Sequence, residues 1–79
     1  MDDSYMTADD DARLDREFTY HPPTASQVPR YEEIRAAGKM FARTIMSLAP
    51  PSPERSTALR LVSEAVMNTN AAIARHEES

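Results

Sequence analysis

The chain has 79 residues, no cysteine and a formal net charge of −4 at pH 7, which leaves room for one small domain without a disulfide framework or a thiolate zinc site. One glycine, 41% hydrophobic residues and no alternation of apolar and polar residues predict an all-α fold. No run approaches the roughly 20 apolar residues that cross a membrane, and the acidic start lacks the apolar core of a signal peptide, so we expect a cytoplasmic protein with no membrane partner.

The first predicted element is an acidic, partly disordered leader over residues 1–16, followed by a helical domain over residues 17–79. Residues 1–17 carry seven acidic side chains and two arginines, whereas the rest of the chain has a net charge of +1. We expect residues 1–8 to be disordered and residues 8–18 to form a short helix, because acids stand near its start and arginines near its end. Such an acidic run is usually a solvated tail, and it argues against a DNA or RNA partner because it repels phosphates.

The segment FTYHPPT, residues 18–24, predicts a loop that Pro22 and Pro23 stiffen by fixing their own φ angles and favouring extended predecessors. Thr24 or Ser26 is expected to cap the helix that follows. A rigid segment of this kind either turns a corner or forms one wall of a binding site.

Three ring-bearing residues in this loop are candidates for different tasks. Phe18 and Tyr20 alternate, so they share a face in an extended segment. We expect Phe18 to pack the loop against the helices. Tyr20, beside His21, is the better candidate for stacking on a flat ring such as a nucleobase, which contributes about 1–3 kcal/mol per base.

Residues 27–49 predict a long helix with a main apolar face. Its members are spaced by three and four residues: Tyr31, Ile34, Gly38, Phe41, Ile45 and Leu48. Arg35, Lys39 and Arg43 form a cationic stripe at intervals of four residues, which is either a solvated face or an anion site. Gly38 costs about 1 kcal/mol relative to alanine in a helix, so a second backbone or a ligand should come close there, and the backbone is the better explanation.

A Pro-rich turn precedes a last helix over residues 53–76. Ser52 is its natural N-cap, and Pro53 suits the first helical position. The apolar face of this helix has the same spacing: Leu59, Val62, Val66, Thr69, Ile73 and His76. A short turn between two long helices predicts an antiparallel helical hairpin.

Both long helices are apolar on more than one face, and on the last helix Leu61 and Met67 point away from the main face. Ala58, Ala65 and Ala72 recur every seven residues and would let another helix approach closely. A core of this size supplies only about 3–5 kcal/mol, and neither a metal nor a disulfide is expected to support it. We therefore expect a homo-oligomer.

Few residues are candidates for chemistry. Arg75 lies near the end of the last helix, where it either complements the helix dipole or converges with its copies on a symmetry axis to hold an anion. Asn70 lies a little over one turn away, so the two do not share a face squarely. His21 and His76 are too few for a metal site, and no catalytic constellation or phosphate loop is present, so we expect no enzyme, metal or cofactor.

Four motifs, FTYHPPT, RYEEIRAAGKMFA, PSPERSTAL and SEAVMNTNAAIARHE, together resemble the phage anti-CBASS cyclic-oligonucleotide sponges over residues 17–77. The resemblance implies a compact, mostly helical homohexamer in the infected bacterial cell. It would bind, without cutting them, the cyclic dinucleotides made in a bacterial immune response. Some members of that family also hold cyclic trinucleotides at separate sites on threefold axes.

The same resemblance implies which residues bind the ligands. Dinucleotide sites of the family lie between protomers and use an aromatic ring for a base and basic side chains for phosphates. The corresponding residues here are Tyr20, His21, Arg35 and Lys39. The trinucleotide site would fall to Arg75 and Asn70.

The alternative is a helical adaptor or inhibitor that binds a host protein through its acidic leader. The charge of −5 over residues 1–17 and the surplus apolar faces motivate it. Deleting residues 1–16 should abolish the activity of such an adaptor, whereas a sponge should keep most of its ligand binding.

Overall fold

The chain forms three α-helices in a computed structural model that describes residues 5–77. They are α1 at Ala8–Phe18, α2 at Val28–Leu48 and α3 at Pro53–His76. No strand occurs within the described range, which confirms the all-α prediction, and the helix bounds match the predicted ones to within one residue. None of these three helices has the length and apolar character that crossing a bilayer requires.

α1 begins with a capping box, in which the Thr7 hydroxyl accepts from the Asp10 amide and the Asp10 carboxylate accepts from the Thr7 amide, each at 3.1 Å. Three acidic residues in the first turn and Arg16 in the last complement the helix dipole. Thr7 caps α1 and Ala8 begins it, so the predicted disorder over residues 1–8 is wrong for these two residues. Residues 1–4 lie outside the described part. α1 also runs across the predicted domain boundary at residue 16, and that division stays a prediction.

The start of α2 differs from the prediction, whereas the start of α3 agrees with it. The N-cap of α2 is Gln27, whose side chain makes no capping hydrogen bond to the helix. Ser26 Oγ instead lies 3.2 Å from Thr24 Oγ1, so the prediction that one of these two hydroxyls caps α2 is wrong. At α3 the Ser52 hydroxyl accepts from the Arg55 amide at 3.1 Å, as an N-cap does.

α2 and α3 pack as an antiparallel hairpin and approach each other closely at Gly38. A Cβ atom at this position would overlap Cγ2 of Val66 and lie 3.9 Å from Cγ1 of Val62. The close approach of α3 therefore explains why position 38 is a glycine. The atoms nearest to it on α3 belong to valine side chains and not to the backbone. The missing side chain lets α3 lie closer to α2 than any other residue would allow.

Gly38→Ala is expected to destabilise the hairpin, although alanine is the better helix former. Alanine gains about 1 kcal/mol of helix propensity, but overpacking typically costs about 1–3 kcal/mol, and a helical valine has little rotamer freedom to move aside. Thermal unfolding followed by circular dichroism should show a lower midpoint. In a Val66→Ala background, where the overlapping methyl group is gone, the same substitution should raise the midpoint. A rise in the wild-type background would contradict the close packing.

The described part of a single chain has no apolar interior. Among residues 5–77 no hydrophobic side chain is buried, and the one buried residue is Gln27, at 6% exposure. The molecule measures 51 × 33 × 15 Å, so it is one helix layer thick. Its radius of gyration is 17.2 Å, whereas a compact domain of this length has about 12 Å. The predicted surplus of apolar surface is confirmed, with Leu61 and Met67 exposed by 53% and 61%.

Three apolar residues face solvent against expectation. Phe18 is 80% exposed, so it does not pack the loop against the helices. Phe41 and Leu48, placed by their spacing on the face toward α3, are 59% and 82% exposed. The half-buried residues there include Ala42 in α2 and Ala49, the C-cap that follows it, because a repeat of 3.6 residues per turn shifts the contact line by one position.

Candidate binding cleft at the open end of the hairpin

An open cleft of about 390 Å³ lies at the end of the hairpin away from the α2–α3 turn. Its walls are the loop after α1, the first half of α2 and the last turns of α3. Five of the six residues predicted to bind ligands line it: Tyr20, His21, Arg35, Asn70 and Arg75. The structure therefore brings both predicted groups together, including Asn70 and Arg75, which the helical repeat did not place squarely on one face.

The loop after α1 forms one wall of the cleft and is held at both ends. His21 Nε2 lies 3.2 Å from the carbonyl oxygen of Arg16, in the last turn of α1. The Thr24 amide donates to Gln27 Oε1 at 3.0 Å. Tyr20 lies on the held segment and is 81% exposed, so its ring is available to a ligand.

The cleft is cationic on the walls formed by α2 and α3. Arg35 and Arg75 line it and take part in none of the ion pairs formed within residues 5–77. The acidic residue of the lining, Glu17, is paired with Arg13 at 3.1 Å. Two cations without a counter-charge in a concave site favour an anionic ligand.

Asn70 lines the cleft and carries an unsatisfied acceptor that lies beneath the cleft surface. Its Oδ1 atom is buried and has no hydrogen-bond partner among the described residues. Buried polar atoms are normally paired, because an unpaired one costs about 1–3 kcal/mol. Because this atom is shut off from solvent, a donor in the cleft reaches it only if the Asn70 side chain turns.

Lys39, the sixth predicted residue, lines a different groove of about 300 Å³ between α2 and α3. Ser63 and Met67 are on the same groove, and Arg35 borders both this groove and the cleft. In a single chain Lys39 is therefore not on the cleft with Tyr20. Its part in a dinucleotide site stays a prediction.

A family model described as Acb2/Tad1, hairpin domain, matches residues 10–74, which include all of α2 and most of α1 and α3. The chain belongs to the Acb2/Tad1 family. This is the family of anti-CBASS cyclic-oligonucleotide sponges, so the resemblance of the loop and helix motifs is confirmed. The match begins within α1 and not at residue 17. Comparisons with curated proteins and with solved structures find no match.

Membership of the Acb2/Tad1 family bears on the chemistry of the cleft, because its members sequester their ligands and are not enzymes. Of the six predicted ligand residues, Arg75 lies beyond the matched range, by one position. Within residues 5–77 no group of three or more His, Cys, Asp or Glu side chains is arranged to hold a metal ion.

A second polar cluster of this Acb2/Tad1 hairpin lies beside the cleft and was not predicted. Arg30 donates to both carboxylate oxygens of Glu77, at 2.7 Å to Oε1, and Gln27 Nε2 donates to the same Oε1 at 3.0 Å. The hydrogen bond from Arg30 is the main reason that the pKa of Glu77 is lowered to about 2. The same hydrogen bond raises the pKa of Arg30 above its ordinary value. We name Gln27, Arg30 and Glu77 the end clamp.

Acid should weaken the end clamp between about pH 4 and pH 2. A carboxylate whose pKa is lowered on folding stabilises the fold fully above its unfolded pKa, about 4.3 for glutamate, and loses that contribution as the pH falls through the folded pKa of about 2. The unfolding midpoint of the wild type should exceed that of Glu77→Gln near neutral pH, and the difference should shrink toward zero in acid. A pH titration of both midpoints measures this, and a constant difference would contradict the ion pair.

Proposed function

We propose that this Acb2/Tad1 protein is a phage immune-evasion protein that binds and sequesters cyclic di- and trinucleotide messengers of bacterial CBASS defence. It acts without cleaving them, in the cytoplasm of the infected cell. The observation that carries the proposal is the cleft, where an exposed aromatic ring and two arginines meet in about 390 Å³. Ligand pockets typically measure about 300–1,000 Å³. Sequestration without cleavage is supported by the family.

Each group of the cleft suits one part of a cyclic nucleotide. Tyr20 offers an exposed ring face to a base, and stacking contributes about 1–3 kcal/mol per base. Arg35 and Arg75 present planar guanidinium groups, which bind phosphate oxygens in pairs. Asn70 lines the same cleft, and its amide can pair with the edge of a base once the side chain turns toward the ligand. Because the loop is already held, less conformational freedom is lost on binding.

Within this function the two ligand classes are assigned to different residues. The cyclic dinucleotide falls to Tyr20, His21, Arg35 and Lys39, and the cyclic trinucleotide to Asn70 and Arg75. In a single chain most of these residues share one cleft, so the assignment requires an assembly that gathers copies of Arg75 on a symmetry axis. Saturation with cyclic tri-AMP should then leave the affinity for cyclic di-AMP unchanged.

Self-association into a homohexamer is part of the proposal, and an apolar groove of about 470 Å³ along the hairpin supports it. Apolar side chains of both helices line this groove: Ile34, Phe41, Ile45, Leu61, Val62 and Val66. Ala58 and Ala65, two of the alanines that recur every seven residues, lie on the same groove and leave room for a helix of another copy. Because no apolar side chain is buried within residues 5–77, the exposed apolar surface of the hairpin needs cover of this kind.

The test is titration calorimetry of the purified chain with cyclic di-AMP, both linkage isomers of cyclic GMP–AMP, and cyclic tri-AMP. Light scattering on the same sample gives the mass of the assembly. Saturable binding by an oligomer, at less than one dinucleotide per chain, supports sites between chains. Heat denaturation should then return the ligand intact, and recovery of hydrolysed ligand would contradict sequestration.

The absence of heat with every member of this panel would favour the alternative, a helical adaptor or inhibitor of a host protein that binds through its acidic leader, residues 1–16. Because α1 contacts α3 and holds His21, deletion of residues 1–16 would also disturb the cleft. Replacing Asp9, Asp11 and Asp15 with asparagine is the cleaner test. An adaptor would lose its partner, whereas a sponge would keep its ligand binding.

A further inference from the structure

The end clamp joins all three segments that form the walls of the cleft. Gln27 lies at its centre and is 6% exposed. Its Oε1 accepts from the Thr24 amide at 3.0 Å, and its Nε2 donates to the Ile73 carbonyl at 3.3 Å and to Glu77 Oε1 at 3.0 Å. One amide side chain therefore ties the loop to the end of α3, while its own backbone begins α2.

The remaining bonds of the end clamp fix α2 against both neighbours. Arg30 Nε donates to the Ser26 carbonyl at 3.2 Å, and its Nη2 donates to Glu77 Oε1 at 2.7 Å. The Ile73 carbonyl is one of the last four of α3, which lack a partner within the helix, and Gln27 provides one. The loop, the start of α2 and the end of α3 are thus held as one unit.

We propose that Gln27 is a positioning residue, which holds the aromatic loop against α2 and α3 so that Tyr20 faces the phosphate-binding Arg35. This inference rests on the proposed function. Three residues separate Tyr20 from Thr24, and two of them are prolines with fixed φ angles, so a displacement at Thr24 is transmitted to Tyr20. Gln27 itself does not line the cleft, and its effect on a ligand is therefore indirect.

Loss of Gln27 should lower the fraction of chains whose loop is correctly placed and remove no ligand contact. The apparent dissociation constant rises in inverse proportion to that fraction, so a loop that is correctly placed about one-tenth of the time binds about tenfold more weakly. The cost of ordering the loop then falls on the binding step and makes its entropy less favourable.

The experiment uses the full chain with three substitutions. Gln27→Leu keeps the approximate size of the side chain but neither donates nor accepts, and Glu77→Gln is a milder change near the surface. Ser52→Ala is the matched control, because it removes the N-cap of α3 at the opposite end of the hairpin and leaves the loop untouched. Calorimetry with the same cyclic nucleotides gives affinity and entropy, and NMR gives the exchange rate of the Thr24 amide without ligand.

Gln27→Leu should bind cyclic dinucleotides about tenfold more weakly than the wild type, with the loss in the entropy of binding. Its Thr24 amide should exchange faster, because the acceptor Oε1 is gone. Glu77→Gln should also weaken binding and speed Thr24 amide exchange, but by less than Gln27→Leu. Ser52→Ala should lower the unfolding midpoint and leave the affinity and the Thr24 exchange rate unchanged. This result would show that a general loss of stability does not by itself weaken binding.

Wild-type affinity in Gln27→Leu, together with faster Thr24 exchange, would overturn the positioning role and leave the proposed function intact. Unchanged Thr24 exchange would overturn the clamp itself. If circular dichroism shows that Gln27→Leu does not fold, Glu77→Gln decides by the same two readouts. A wild-type chain that binds no cyclic nucleotide would overturn the proposed function, and this inference with it, so the two failures are distinguishable.

Discussion

Tyr20→Ala is expected to weaken cyclic dinucleotide binding by about tenfold to a hundredfold and to leave fold and assembly unchanged. A base stacked on an aromatic ring contributes about 1–3 kcal/mol, and about 1.4 kcal/mol corresponds to a factor of ten in affinity. The ring of Tyr20 is 81% exposed, so its removal costs the single chain little packing. Calorimetric titration measures the affinity, and thermal unfolding with light scattering checks the rest.

Tyr5→Ala is the matched control for this prediction, because Tyr5 is 95% exposed and lies outside the cleft. It should bind cyclic dinucleotides like the wild type. Tyr20→Phe keeps the ring and should retain most of the affinity. Normal binding by Tyr20→Ala would mean that the cleft is not the dinucleotide site, although the chain would remain a member of the Acb2/Tad1 family.

Phe41→Asp is expected to break the assembly and, with it, the fold. Phe41 is 59% exposed in a single chain and lines the apolar groove beside Leu61. Burying a phenylalanine side chain contributes about 1.5–3 kcal/mol, and a carboxylate in its place would lose water without gaining a partner. Because the single chain buries no apolar side chain within residues 5–77, we expect the mass of a monomer in light scattering and a shallow, non-cooperative thermal transition.

Met40→Asp is the control for the groove, since Met40 is the neighbouring residue on α2, is 65% exposed and does not line the groove. The assembly formed by Met40→Asp should keep a mass and an unfolding midpoint close to those of the wild type. If Phe41→Asp keeps the wild-type mass, the contact between chains lies on another face of the hairpin. If both substitutions break the assembly, the groove is not its specific contact.

Helix bounds were predictable because their signals are local in the chain. Ser52 and Pro53 mark the start of α3, and the acid and arginine distribution marks α1. The faces of the helices were less predictable. A spacing of three and four residues fits two adjacent stripes of α2, and only the position of α3 decides that Ala42 is half-buried and Phe41 is exposed.

The residue types of the cleft were predictable, but its geometry was not. Tyr20 and Arg35 carry an aromatic ring and a cation, which the sequence identifies directly. Gln27 gave no signal, because two of its hydrogen-bond partners lie 46 and 50 positions further along the chain. Asn70 and Arg75 were not expected to share a face squarely, yet a cleft with walls on several segments is wide enough to include both.

A hairpin only one helix layer thick makes the protein's capacity depend on how many copies have been made. In the proposed assembly, chains below a threshold concentration find no partners, remain open to proteases and store no messenger. Above that threshold the number of complete sites rises steeply, because several chains must meet to form each one. A messenger bound between chains also favours assembly by mass action, so a rising messenger concentration increases the number of assembled sites that bind it.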